Sequence, residues 1–341
     1  MLTTIVLKTM RRIELIEFLK GYSIFTIVIF HSFQLFHFHN IFGKLITFGG
    51  TGVHLFIFLS GFGLYLSQLN NPIPFIPFLK KRISKIYFPY IVVVLLSSLF
   101  SIFIPIYKNS LYSLGGHILL YKMFDESIIG SYGYPLWFIS MIMQFYIVFF
   151  ALIYFKEIFS NIKFLFICFL ISILWSGLVI MLGKENERIW NSFFLQYLWE
   201  FGLGIVFASV YKQNGFKLKF KVKSIYLLII GIINCALYAI LALSCGSIGK
   251  MLNDFPALIG YSMIAIWVYK IENSVINTFF LFTGKISYSI YLLHMLILLI
   301  GLYFFKTLPI GLSICISLIF TYLFAQIYHK YTMYFFQKSG I

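Results

Sequence analysis

Charge is scarce in this chain, and negative charge is scarcest. Of 341 residues, 10 are Asp or Glu against 26 Lys or Arg, and the four types together make up 11%. Soluble domains carry about 25%. With 61% hydrophobic residues, a soluble fold is excluded, because one core of this size cannot hide so much apolar surface. A bilayer solvates it without penalty. Cysteine is also rare: Cys168, Cys235, Cys245 and Cys315 stand singly in apolar stretches. That spacing excludes a disulfide framework and a thiolate metal centre, and the four read as small core residues. Internal repeats, low-complexity linkers and a large soluble domain are missing too. No cleavable leader is expected, since the first apolar run follows Lys8, Arg11 and Arg12, lacks a small-residue cleavage site and is long enough to span.

What is present is a series of apolar runs, near 13–36, 49–69, 86–106, 134–155, 162–182, 193–211, 225–245, 254–270, 285–305 and 308–330. Each is close to the roughly 20 residues that cross about 30 Å of hydrocarbon as a helix. The expected fold is therefore all-α and integral to the membrane: a single domain over 1–341, a bundle of about ten transmembrane helices. The 42 Phe and 24 Tyr suit lipid-facing and headgroup positions. If the loops alternate sides, eighteen of the 26 basic residues fall on the N-terminal side and seven opposite, with Lys20 inside the first run. This bias predicts that both termini are cytoplasmic. It also accounts for the net charge of +16 without nucleic acid. The longest outer segment, 107–133, reads as a re-entrant or capping loop over a cavity. The inner loop 212–224, with Lys alternating with apolar residues, reads as resting on anionic headgroups.

Ionisable residues within spans cost several kcal/mol and are functional candidates by default. The first run carries Glu17, Lys20 and His31. Lys20 and His31 are eleven residues apart, about three turns and 16 Å along one helix face, with Glu17 one turn before Lys20. Interfacial snorkelling is the plain alternative for the charged pair. An imidazole can take a proton from a hydroxyl near neutral pH, which suits His31 to general base catalysis. The second run holds His54 and Ser60 among glycines that allow close helix contact. Arg82 and Lys85 sit three apart at a helix start and suit a polyphosphate, although a plain inner-face basic cluster would look the same. Trp137 and Ser140 share a face, Glu200 reads as an unpaired carboxylate inside a span, and Ser287, Tyr291 and His294 form a polar stripe at i, i+4 and i+7. For these, interhelical hydrogen bonding is an equal reading. No metal-ligand spacing is evident.

Taken in order, these segments resemble the acyltransferase 3 family of membrane acyltransferases, which O-acetylate bacterial surface polysaccharides. The family's opening basic residue, ten residues and histidine are matched by Lys20 and His31, and its LDGLR-like lead by Ile16 to Lys20. Its GVDLFFxLSGF segment is similar to Gly52–Phe62, and its RxxR before Pro-Tyr to Arg82, Lys85, Pro89 and Tyr90. Its Trp-containing span is similar to Leu136–Ser140, its EFxxG to Glu200–Gly204, and its closing G-x-ISYxxYLxH to Gly284–His294. The chain departs from the pattern at His54, where the family has Asp, at Lys85 for the second Arg, and at Ile142 and Met143, where an acid is common. A carboxylate assisting the histidine would then have to be Glu17 or Glu200, or else none assists it. The soluble esterase-like domain of longer members is not expected here.

The resemblance implies transfer of an acetyl or other short acyl group from acyl-CoA, a co-substrate rather than a resident cofactor. The acceptor is a sugar hydroxyl of a cell-surface polysaccharide or its lipid-linked precursor, and the setting is the bacterial plasma (inner) membrane. On that reading His31 and Glu17 are catalytic, while Lys20, Arg82 and Lys85 hold the donor phosphates. His54, Ser60, Trp137, Ser140, Glu200, Ser287, Tyr291 and His294 line the cavity. The rival readings are a glycan or small-molecule flippase, against which the missing inverted repeat counts, and a glycan polymerase, which calls for a large outer loop with paired Arg.

Overall fold

The computed structural model describes residues 2–34, 48–215 and 223–338, with side chains from residue 14 onward. Among the described residues every regular element is helical. In chain order these are α1 (Leu2–Gln34), α2 (Gly52–Asn70), α3 (Phe75–Arg82), α4 (Phe88–Phe103), α5 (Leu111–Ile118), α6 (Trp137–Ile158), α7 (Asn161–Met181), α8 (Arg188–Asn191), α9 (Leu198–Gln213), α10 (Ser224–Ser244), α11 (Gly246–Leu252), α12 (Asp254–Lys270), α13 (Ser274–Lys285), α14 (Ser287–Phe304) and α15 (Ile310–Lys338). Most of the loop expected to rest on headgroups, with Lys217, Lys219 and Lys221, lies outside the described residues, as does Lys44.

Among the described residues, eight helical stretches are long and apolar enough to cross a bilayer, and α11 with α12, bent by 46°, makes a ninth if the pair is one broken span. The expectation of ten similar runs is corrected in two places. The run 193–211 is helical only from Leu198, as the 16-residue α9, after irregular backbone. The run 254–270 is the second arm of the bent pair. Pro256 in its first turn has no N–H to continue a straight helix from Leu252. A further helix, α13, stands where a loop was expected. Asn273 starts it, its side-chain oxygen accepting from the backbone N–H of Val275 and Ile276 at 3.0 Å each.

Apolar side chains face outward in quantity. Only 11% of the apolar window of α10 is buried, and Ile225, Ile232, Ile233 and Ile240 are more than half exposed. A helix so apolar and so open is stable against lipid tails rather than water.

The chain forms two compact units. The first comprises Met1–Pro72, Leu152–Asn186 and Leu195–Ser287. Its helices approach through glycine. A Cβ on Gly204 would collide with the Phe58 carbonyl, and one on Gly61 with that of Phe201, so α2 and α9 meet backbone to backbone. Gly21 of α1 and Gly284 of α13 do the same against Phe280 and Glu17. Beside that crossing lies a core of Phe18, Leu19, Leu55, Leu59, Tyr261, Ala265 and Phe280.

The second unit comprises Ile73–Ala151, Glu187–Phe194 and Tyr288–Ile341. A π-turn over Ile83–Tyr87 joins α3 to α4. Tyrosine hydroxyls serve carbonyls around it: Tyr288 donates to Ile86 at 2.5 Å and Tyr328 to Pro89 at 2.7 Å. The segment between α4 and α6 is built rather than loose. Ser110 caps α5, and Asp125 accepts from Tyr112 and Ser127. Buried beneath are His117 and Lys122, both 0% exposed.

Candidate functional site

Each unit holds part of the set expected from sequence. In the first, α1 carries Glu17, Lys20 and His31 on one unbroken helix. Lys20 Nζ donates to Glu17 Oε1 at 2.9 Å, with both side chains a quarter to a third exposed. His31, in the last turn, is 8% exposed, so its ring lies against protein rather than lipid. The Phe30 ring is tilted beside it, 5.0 Å between centroids. Glu17 and His31 are not brought together on α1. Fourteen residues of helix put them about 21 Å apart along the axis, and the Glu17 carboxylate is engaged by Lys20.

A buried triad is assembled in the same unit from three helices that are far apart in the chain. His54 of α2 has its Nδ1 2.7 Å from Glu200 Oε1 of α9, and its Nε2 3.5 Å from Asp254 Oδ1 of α12. Asp254 Oδ2 accepts from Gln196 Nε2 at 2.8 Å, and Gln196 Oε1 accepts from Ser176 at 2.9 Å. Glu200 is therefore not unpaired as expected, although its Oε2 is buried without a partner. The three residues bring ligand atoms within 4.8 Å of one another. Because each ring nitrogen faces its own carboxylate, the arrangement suits a hydrogen-bonded ion triad. A shared metal would engage a single ring nitrogen. Asp254 was not singled out from sequence, because it opens an apolar run and reads as a boundary. Ser60, expected in a cavity wall, instead donates to Phe56 of its own helix at 2.8 Å.

The second unit holds Arg82, Lys85, Trp137, Ser140, Tyr291 and His294. Arg82 closes α3 with its guanidinium 5.4 Å above the Phe78 ring, and its Nε is buried without a partner. Lys85 follows within the π-turn, so the two are not separated by regular α-helix. π-Turns cluster at functional sites because they break the regular ladder. Trp137 is nearly buried and carries the Arg188 guanidinium 5.0 Å above its ring. Ser140, 3% exposed, has an unpartnered Oγ. Tyr291 donates to the Pro135 carbonyl at 2.8 Å. His294 Nδ1 faces the carbonyls of Tyr291 at 2.8 Å and Ile290 at 3.2 Å, which fixes the proton on Nδ1. Ser287, buried at the start of the same helix, belongs to the first unit.

A family model described as an acyltransferase domain, acyltransferase 3, matches residues 13–330. The chain belongs to the acyltransferase 3 family. No curated protein and no solved structure matches it. As an acyltransferase 3 member it is a membrane acyltransferase, and the match runs from the helix of His31, past that of His294, into α15. Membership also sharpens the departure at His54. Where the family pattern has an acid, this acyltransferase 3 chain has an imidazole with an acid on either side.

Proposed function

We propose that this protein moves an acetyl or other short acyl group from acyl-CoA at the cytoplasmic face of a bacterial plasma membrane to a sugar hydroxyl. The acceptor is a cell-surface polysaccharide or its lipid-linked precursor. The observation that carries the reading is α1, which sets a buried imidazole, His31, about 16 Å above the charged Lys20 on a single helix. That separation suits a pantetheine arm anchored by its phosphates below and delivering its thioester above. Arg82 and Lys85 are assigned to donor phosphates on their charge and spacing.

In the proposed step His31 removes the acceptor hydroxyl proton as the oxygen attacks the thioester carbonyl. The tetrahedral adduct collapses by breaking the C–S bond, and the imidazolium returns the proton to the departing CoA thiolate. One C–O bond replaces one C–S bond, and no other reagent is consumed. Glu17 serves here as the partner that orients Lys20.

Membranes containing the protein, given acetyl-CoA labelled in the acetyl group, are expected to place label covalently in glycan and to release one free CoA thiol per acetyl. Label that crosses the membrane without entering glycan would instead make the protein a carrier.

A further inference from the structure

The 22-residue α6 runs from Trp137 to Ile158, with Lys156 in its last turn. The positive-inside bias sets that last turn at the cytoplasm, so Trp137 stands at the outer end. Trp137, Ser140 and Gln144 follow at i, i+3 and i+7, one face of the helix over about 10 Å of its axis. Within the same unit the stretch Arg188–Phe194 lies along this face. At one end the Arg188 guanidinium covers the Trp137 ring at 5.0 Å. At the other the Phe194 N–H donates to Gln144 Oε1 at 3.2 Å. Ser140 falls between the two contacts, 3% exposed, and its Oγ finds no partner. Gln144 Nε2 is buried and unpartnered as well. Buried polar atoms are nearly always hydrogen-bonded, and hydrocarbon offers no water to serve them.

Arg188 is fixed by neutral groups. Its Nε and one terminal nitrogen donate to the Tyr134 hydroxyl, and its other terminal nitrogen to Ser192 Oγ at 2.9 Å. The Tyr134 ring lies 5.0 Å from the guanidinium carbon. Glu126 accepts from the Ile189 N–H at 3.0 Å instead, and no carboxylate among the described residues pairs with Arg188. The guanidinium has five N–H groups, so one is left on each terminal nitrogen. This face therefore carries a held cation at its outer end and unspent hydrogen-bonding groups below it.

We infer that the face binds the acceptor and that the acceptor is an acidic sugar. Arg188 holds the carboxylate, while Ser140 and Gln144 bond the ring hydroxyls. The inference rests on the sugar-acceptor reading and adds the charge of that acceptor. Neither Arg188 nor Gln144 belongs to the motifs that carried that reading. Arg188 acts here on specificity, apart from the proton transfer at His31.

Titration of methyl β-glucuronide and methyl β-glucoside into purified full-length protein, followed by saturation-transfer NMR, tests it, because the two sugars differ only at C6. Wild type is expected to bind the glucuronide about tenfold or more tightly. Arg188→Gln should bring the two affinities together, and Arg188→Lys should keep part of the difference. Ser140→Ala removes a buried hydroxyl that has no partner, so it should melt no lower than wild type while binding both sugars about threefold or more weakly. Equal affinity for both sugars in wild type, a preference that survives Arg188→Gln, Ser140→Ala binding at the wild-type level, or no sugar binding at all would overturn the inference. Tighter binding of glucose 6-phosphate than of the glucuronide would overturn the carboxylate in favour of a phosphate-bearing glycan. Arg188-dependent glucuronide binding in a protein that transfers no acetyl to glycan would uphold the subsite while sinking the proposed reaction.

Discussion

His54 shows what one imidazole does inside an apolar bundle. It stands between two carboxylates on different helices, one of them 0% exposed, and gives both a polar partner inside the bundle. His54→Ala would strand the Glu200 and Asp254 carboxyls without their shared partner, which costs about 3–5 kcal/mol. Thermal unfolding in detergent should therefore show a clear loss of stability for this variant. An unchanged midpoint would mean that the triad is not a working ion cluster. Residue by residue, legibility in the sequence followed distance along the chain. The spacing of Lys20 and His31 is visible because one helix fixes it. The partnership of Glu200 with His54 spans 146 positions, so no periodicity reports it. Glu17 pairs with Lys20, one turn away on the same helix. It is near Lys20 in sequence and for that reason far from His31.

Among the elements, apolar length was a good guide and polarity within a short run was not. The long helices stand where their hydrophobic runs are. The 12-residue α13, with its mixed sequence SVINTFFLFTGK, carries no such signal and depends on a cap and a glycine crossing. The segment between α4 and α6 hides more chemistry than its loop-like sequence suggests. His117 Nδ1 meets the Tyr90 hydroxyl at 2.7 Å, and its Nε2 meets Ser131 Oγ at 2.9 Å and Lys122 Nζ at 3.3 Å. Burial pushes the Lys122 amine from 10.5 down to about 7. Burial, with the charge of Lys122 added, pushes His117 from 6.5 down to about 2. Both groups bind fewer protons folded than unfolded, so the stability of the segment rises with pH wherever the two states differ. For His117 that window is about 2 to 6.5, and for Lys122 about 7 to 10.5. Hydrogen exchange over residues 111–132, corrected for intrinsic rates, should show weaker protection at pH 5 than at pH 9. Lys122→Met should flatten the upper part of that change. Protection that is flat across the range in both proteins would contradict the burial of these groups.

At the scale of the whole molecule, the composition already demanded lipid, and the outward-facing Ile, Leu and Phe of the long helices meet that demand. The division into two units was not legible. Each draws on separated stretches of chain, and a hydrophobic run does not say which neighbour it packs against. The ordered motifs were sufficient for the family, because they fall on the helices matched by it. The central claim is that the imidazole at the top of α1 performs acyl transfer, and a single comparison reaches it. Purified wild-type and His31→Ala proteins would be given acetyl-CoA and acceptor glycan, with acetyl-CoA affinity measured alongside. The account predicts a loss of transfer of at least about 100-fold with donor affinity unchanged. Transfer by His31→Ala at the wild-type rate would contradict it.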